Sequence, residues 1–399
     1  MLESIISRGE GIRAADGLLS GIQKGIFQEA LRAAVEWSSD EQQNKKWLEY
    51  HRKSVKYNSA EFLDPILDSL APLDRLCAGR SLMRSRANEQ DQEGRAVLIA
   101  LRKSIDLQLR NSDGGYWYFV DPPPPYKQYG NLSYSDGMYG FAPFAVLYGL
   151  IYGDPHLNID SALQQLEIMY KRTLQKDTGL IVHGYDGSRQ APWANPKTGA
   201  SPIVWGRSLA WYTIGLVDAL AMAETDPGLR QTKAYSRMRE IYENLASAEI
   251  EAIKRSAKTT GRYGVWQVFD QPGKEGNFVE ASATAMLVYA LGKGLRYGYV
   301  RSEKKSAWVY ILQRPKKVLM EDVKDLLHST YNDLLENFVM AGENGTLDFE
   351  GTSVLSSLHV TNPNFDYYVN REVSKNSLIG TSAFVLASLE IEHLEDNNL

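Results

Sequence analysis

The stretch MYGFAPFAVLYGLIY at residues 138–152 decides the fold, because it is apolar nearly all round and carries no charged side chain. It is shorter than the roughly 20 residues that a bilayer-spanning helix needs, and Pro143 interrupts it. A helix without a polar face must be covered by protein on every side. The stretch therefore predicts a buried helix rather than a membrane span.

Two kinds of segment alternate on either side of this stretch. The segments 204–222, 281–291 and 378–389 are also apolar nearly all round, whereas helices such as the one around 230–254 are apolar on one face only. Such alternation is typical of two concentric layers of helices. We therefore predict an all-α fold of the α/α-barrel type, in a single domain over 1–399, with strand-like pieces such as Val265–Phe269 confined to loops. The predicted helices are 1–14, 17–36, 40–56, 71–87, 91–109, 136–152, 156–173, 203–223, 230–254, 278–295, 318–339 and 377–390.

The composition is that of an ordinary globular protein. The 399 residues are 43% apolar and 23% charged, the net charge is −5, and the basic residues are spread out, so nothing predicts a nucleic-acid partner. Cys77 stands alone, which excludes an intrachain disulfide. Since MLESIISRGEGIRAADG at 1–17 lacks the basic head and apolar run of a secretion signal, we expect a cytoplasmic protein without membrane contact. The oligomeric state stays open.

The loops that precede the buried helices are rich in polar and aromatic residues. In an up-and-down barrel all inner helices begin at the same rim, so these groups are expected to converge on one mouth. The positive N-terminal ends of the helix dipoles would favour an acidic ligand there. The loops concerned are 73–75, 133–137, 205–207 and 277–280.

Several kinds of chemistry find no support. The six histidines are scattered without paired ligand spacing, so we expect no metal, and no phosphate-binding loop or esterase elbow is present. We expect no cofactor. Paired carboxylates at the rim remain, the usual arrangement for breaking a glycosidic bond.

Taken locally, the candidate residues stay ambiguous. Asp136 precedes an uncharged helix and reads first as an N-cap, and Asp74 could merely complement a helix dipole. His183 could brace a turn or contact a ligand. Arg207 and Trp211 lie four residues apart on one helix face, with Trp205 at its start. These three could bind an acidic sugar or form an internally paired, tryptophan-rich core.

Together, four stretches resemble glycoside hydrolase family 105, the unsaturated rhamnogalacturonyl hydrolases, over most of the chain. They are SDGMYGFAPF at 135–144, HGYDGSRQAPWANPKTGASPIVWGRSLAWYTIGLVDAL at 183–220, GVWQVFDQPGKEGNFVEASATAMLVYALGKG at 264–294 and YYVNREVSKNSLIGTSAFVLASLE at 367–390.

The resemblance implies a barrel of six helix pairs, the (α/α)6 barrel, and an acidic oligosaccharide substrate that ends in a 4,5-unsaturated uronic acid. It implies that Asp136 is the catalytic aspartate and Asp74 the second site carboxylate. The residues His183, Trp205, Arg207 and Trp211 fall where the family contacts the sugar.

The chain departs from the family pattern at two places, and rival functions stay open. Ile22, ahead of Gly25, stands where relatives commonly have tryptophan; Tyr118 stands where bacterial members often have histidine, and the insertion 122–125 follows it. The alternatives are an unsaturated glucuronyl hydrolase, a barrel that binds acidic oligosaccharides without cleaving them and, ranked last, a sugar epimerase.

Overall fold

The computed structural model describes residues 1–12, 20–85, 91–120, 132–300 and 320–396. Within these ranges the chain forms fifteen α-helices and six short strands. The helices are α1 (Leu2–Ser7), α2 (Ser20–Trp37), α3 (Glu41–Ser59), α4 (Pro65–Leu70), α5 (Leu76–Arg84), α6 (Gln92–Leu107), α7 (Gly137–Tyr152), α8 (Ile159–Thr173), α9 (Gly206–Ala223), α10 (Pro227–Arg230), α11 (Lys233–Thr260), α12 (Ala281–Arg296), α13 (Met320–Phe338), α14 (Phe365–Val369) and α15 (Leu378–Asp396). The strands are β1 (Leu132–Tyr134), β2 (Gly184–Asp186), β3 (Val339–Ala341), β4 (Leu347–Phe349), β5 (Thr352–Ser353) and β6 (Val373–Ser374).

Six helices form a closed inner ring. Helix α2 packs on α5, and the ring continues through α7, α9, α12 and α15 back to α2. The helices α1, α3, α6, α8, α11 and α13 alternate with them along the chain and pack against the outside. The predicted all-α, (α/α)6-barrel architecture is therefore confirmed.

Hydrophobic patterning explains which helices lie inside. Every residue of α9 is buried, and the first ten residues of α7 are buried as well, as expected for helices without a polar face. The outer helix α11 instead buries one stripe that includes Tyr235, Met238 and Tyr242. Among the described residues, none of the helices combines the length and the apolar character needed to cross a bilayer.

Several predicted boundaries differ from the structure. The predicted helix 1–14 ends at Ser7, and the predicted helix 71–87 begins as a 3-10 turn, Leu73–Arg75, before α5. The helices α4, α10 and α14 were not predicted; each has six residues or fewer, too short for a periodic pattern. The strand-like piece Val265–Phe269 lies in the loop between α11 and α12, as predicted, where Trp266 and Val268 form isolated bridges to Val279 and Trp205. The insertion 122–125 lies outside the described residues.

A short antiparallel pair connects the loops before α7 and α9. Strand β1 pairs with β2, so that Leu132 lies opposite Asp186 and Tyr134 opposite Gly184. The Ser135 amide then donates to the carbonyl oxygen of His183 at 3.0 Å. This pairing fixes the start of α7 beside the segment that carries His183.

Candidate active site

A small cavity opens where the inner helices begin. Its volume is about 20 Å³, room for about one water molecule, so a larger ligand needs part of the wall to shift outward. The wall combines side chains from α2, α9 and α15 with loop residues that precede α7, α9 and α15. The lining residues are Ile22, Tyr118, Phe119, Tyr134, Asp136, Trp205, Arg207, Trp211, Leu355, Ser356, Ser357 and Ile379.

Asp136 occupies the N-cap position of α7, but its side chain does not cap the helix. A capping residue has an extended backbone so that its side chain can reach the next amides. Asp136 is itself helical, with φ −53° and ψ −40°, and makes no such bond. The local interpretation as a cap is therefore wrong for the side chain. The carboxylate points instead towards Ser208 of α9, whose hydroxyl donates to Oδ2.

Burial raises the pKa of Asp136 to about 6, and the hydrogen bond from Ser208 opposes that rise. His183 lies behind the carboxylate, with Nε2 3.5 Å from Asp136 Oδ2 and Nδ1 2.7 Å from the Tyr368 hydroxyl. Burial, together with the nearby Arg207, holds the pKa of His183 well below its usual range. The imidazole is therefore neutral. It is also fully buried and does not line the cavity.

Asp74 lies in the 3-10 turn before α5 and accepts a hydrogen bond of 2.7 Å from the Tyr118 hydroxyl. Its other oxygen, Oδ1, is buried without a partner among the described residues. Burial, and the charge of Asp136, raise the pKa of Asp74 to about 7. The charge of Asp136 therefore opposes the ionisation of Asp74, and the two buried carboxyl groups titrate as a coupled pair.

Among the described residues that line the cavity, Arg207 is the one cation, and Glu280 neutralises it. Nη1 lies 2.9 Å from Glu280 Oε1 and 2.7 Å from the carbonyl oxygen of Ser353, while Nη2 donates to Val354 at 2.9 Å. The guanidinium also lies over the Trp205 ring, 4.7 Å from its centroid. Arg207 is thus paired internally and also lines the cavity, and its contact with an acidic sugar stays a prediction.

The two indoles form a rigid apolar wall. Trp205 donates through Nε1 to Gln267 at 3.0 Å, and Trp211 packs against Tyr139 with ring centroids 4.5 Å apart. Since both rings line the cavity and both are at least 98% buried, a ligand can reach their apolar faces only from within the cavity.

The structure brings Asp136, Trp205, Arg207 and Trp211 together around one cavity. Asp74 and His183 lie just behind the lining, where Asp74 accepts from Tyr118 and His183 lies against Asp136. Sequence reasoning missed Ser208 and the wall 355–357. Ser208 directly follows Trp205-Gly206-Arg207, so its place at the start of the same helix was a usable signal. No sequence pattern pointed to residues 355–357, because they follow Arg207 by more than 140 positions and meet the site only in the folded chain.

The arrangement suits proton transfer to a ligand inside a buried pocket. It offers a buried carboxyl group with a raised pKa, a second carboxyl group beside it, and aromatic surfaces for a ring. In the part of the chain that the structure describes, no group of three or more His, Cys, Asp or Glu side chains is placed to hold a metal ion.

Comparison with known proteins gives concordant results. The family model of Glycosyl Hydrolase Family 88 matches residues 21–314. "Protein Atu3128" of Agrobacterium fabrum is 31% identical over 254 residues, which are 62% of this chain and 96% of that protein. A glycoside hydrolase from family 105 of C. acetobutylicum has a solved structure that is 26% identical, with a TM-score of 0.77 over 98% of each chain. The unsaturated glucuronyl hydrolase of Bacillus sp. GL1 shares the fold at 14% identity, with a TM-score of 0.59 over 98% of this chain and 97% of that one.

Proposed function

Because the chain belongs to glycosyl hydrolase family 88 and resembles a solved family 105 member over 98% of its length, we propose that it removes a terminal 4,5-unsaturated uronic acid from oligosaccharides. The resemblance to family 105 seen in the sequence is thereby confirmed, and the chain is a glycosidase. The specific substrate that we propose is an unsaturated galacturonyl residue, with rhamnose next to it, as left by a lyase acting on pectin.

The observation that carries the proposal is the position of Asp136. Its carboxyl group is buried in the cavity wall, is not used for capping, and has a pKa raised to about 6. In its protonated form it would add a proton to C4 of the vinyl ether. The resulting carboxylate would take a proton from water as that water adds at C5. The hemiketal then opens and releases the neighbouring sugar and a keto uronate.

In this mechanism Asp74 has an electrostatic role and does not itself transfer a proton. Protonation at C4 places positive charge on the ring, and a carboxyl oxygen of Asp74, which carries partial negative charge even when the group is protonated, can stabilise that charge. Tyr118 fixes the orientation of Asp74 through its hydroxyl. No covalent sugar intermediate forms, so the carboxylate-separation rules of ordinary glycosidases do not apply.

A panel of lyase digests tests the proposal. The enzyme is incubated with digests of rhamnogalacturonan, other pectins and glucuronate-containing polysaccharides, and loss of the double bond's ultraviolet absorbance is followed. We expect the fastest loss with the rhamnogalacturonan digest. A faster loss with glucuronyl digests would favour the rival substrate, and tight binding without turnover would favour a non-catalytic binder.

The Asp136→Asn variant tests the role of the carboxyl group. An amide cannot donate the proton, so we expect kcat to fall by about 10³-fold or more. Asp226→Asn is the matched control, because Asp226 is an N-cap whose side chain does accept from the Leu229 amide, at 2.9 Å. The control should keep its activity and its stability, because asparagine caps a helix about as well as aspartate does. Full activity of Asp136→Asn would refute the mechanism.

A further inference from the structure

One wall of the cavity is a segment without regular secondary structure, Leu355–Ser357, between β5 and α14. It is well buried for a loop, with Ser356 1% and Ser357 5% exposed. A buried loop must find partners for its backbone polar groups, and such loops are often functional.

Side chains from the barrel hold the segment on both sides of Ser356. Arg207 donates to the carbonyl oxygen of Val354 at 2.9 Å, and Arg371 donates to that of Leu355. On the other side, the Ser357 amide donates to the Tyr367 hydroxyl at 2.8 Å. The Leu358 amide donates to the hydroxyl of Tyr134, another cavity residue, at 2.9 Å. The neighbours of Ser356 thus fix the segment, and the Ser356 hydroxyl makes none of these bonds.

The Ser356 hydroxyl is buried and has no hydrogen-bond partner among the described residues. Most buried polar side-chain atoms have a partner, and the exceptions call for an explanation. Ser356 lines the same cavity as Asp136 and Arg207, so a ligand in that cavity would supply the missing partner.

We propose that the Ser356 hydroxyl donates a hydrogen bond to the carboxylate of the bound uronyl group, and so helps to select acidic sugars. The inference rests on the proposed function and names a binding group for it. Glu280 already neutralises Arg207, so an incoming carboxylate needs further neutral donors. Arg207 donates to the carbonyl oxygen of Val354, and Ser356 is only two residues further along the chain. The Ser356 hydroxyl is therefore a neutral donor on the same side of the cavity as the guanidinium.

Binding measurements test this role independently of turnover. Affinities for galacturonic and glucuronic acid, and for their methyl esters, are measured by calorimetry in the full chain. Ser356→Ala should weaken binding of the acids about ten-fold or more, as expected for losing a hydrogen bond to a charged group, and should change ester binding much less. Ser81→Ala is the matched control, because the Ser81 hydroxyl is equally buried and unpartnered but does not line the cavity.

Thermal unfolding of the same variants shows whether Ser356 has a structural role. Removing an unpartnered buried oxygen costs no hydrogen bond, so the Tm of Ser356→Ala should stay the same or rise. Equal affinity of Ser356→Ala and the wild type for the acids, an equal loss for acids and esters, or no binding of either acid by the wild type would each overturn the inference. Weaker acid binding by Ser356→Ala in a protein that cleaves no lyase product would keep the inference and reject the hydrolase.

Discussion

At the scale of single residues, Ser208 gives Asp136 a partner in both of its protonation states. Its hydroxyl oxygen lies within bonding distance of Asp136 Oδ2 and 3.1 Å from the carbonyl oxygen of His183. When Asp136 is ionised, Ser208 can donate to it. When Asp136 is protonated, its own proton can point to Ser208, which then donates to His183. A group that both gives and takes a proton needs such an environment.

The pH dependence of activity follows from this contact. Asp136 must be protonated to act as an acid, so kcat/KM should fall as the pH rises through about 6. Ser208→Ala removes a hydrogen bond that favours the ionised form, so the pKa rises and the alkaline limb should move upward by about one pH unit. Initial rates on an unsaturated disaccharide between pH 4 and 9 measure the shift.

A control variant for this shift is Ser388→Ala. The Ser388 hydroxyl donates to the carbonyl oxygen of Phe384 at 2.8 Å and does not line the cavity, so its pH profile should match that of the wild type. An alkaline limb that stays in place in Ser208→Ala, while activity persists, would mean that a group other than Asp136 supplies the proton.

At the scale of helices, the position of Asp136 depends on how closely α9 approaches α7. A Cβ atom added at Gly215 would lie 2.5 Å from the carbonyl oxygen of Met138 and 2.9 Å from the Cα of Tyr139. Both neighbours are backbone atoms, which cannot rotate away. The absence of a side chain at Gly215 therefore keeps α9 against the first turn of α7, two residues beyond Asp136.

Gly215→Ala should therefore impair both stability and activity. Forcing a methyl group into this contact should cost about 1–3 kcal/mol of unfolding free energy and displace Ser208 from Asp136. Urea denaturation and kcat measure the two effects. Gly261→Ala is the control: Gly261 has φ +75° and no atom within 4 Å, so that variant should lose stability through strain alone and keep its kcat. If Gly215→Ala is destabilised but keeps its kcat, the close contact of α9 with α7 is not what positions Asp136.

The helices were largely predictable from the sequence, and the site only in part. The buried character of 138–146 and 204–222 depends on composition, which is local, so the two layers could be predicted, although Ile151 and Tyr152 at the end of α7 are 49% and 51% exposed. The boundaries around α1, the short helix α14 and the true partner of Asp136 depend on tertiary contacts. Ser356 shows the limit most plainly, since its burial and its missing partner exist only once the loop folds over the barrel mouth.

At the scale of the whole molecule, the barrel interior below the site is built from stacked polar and aromatic groups. Trp211 packs on Tyr139, and the guanidinium of Arg80 lies 4.5 Å from the Tyr139 ring centroid. Arg80 is fully buried, 3.4 Å from Glu29 and 3.7 Å from Asp218. The cavity floor thus rests on a buried charge cluster that fixes the rings from below.

Between the two layers, Glu249 of α11 makes the stability of the barrel depend on pH. It is fully buried against α9, where the Thr213 hydroxyl lies 2.5 Å from Oε1, and Oε2 has no partner in the described part of the chain. Burial without a counter-ion raises its pKa to about 8. The native state therefore holds a proton that the unfolded chain releases near pH 4.5. The stability that this bound proton contributes is full below pH 4.5 and is lost as the pH rises through about 8.

The Glu249→Gln variant should reveal this contribution, because an amide resembles the protonated acid in size and cannot ionise. At pH 5 its Tm should match that of the wild type, whereas at pH 9 it should exceed it by several degrees. Glu251→Gln, on the exposed side of the same helix, should show no such divergence between the two pH values. If the Tm of Glu249→Gln differs from that of the wild type by the same amount at both pH values, the difference comes from packing, and Glu249 is not the group whose ionisation destabilises the barrel.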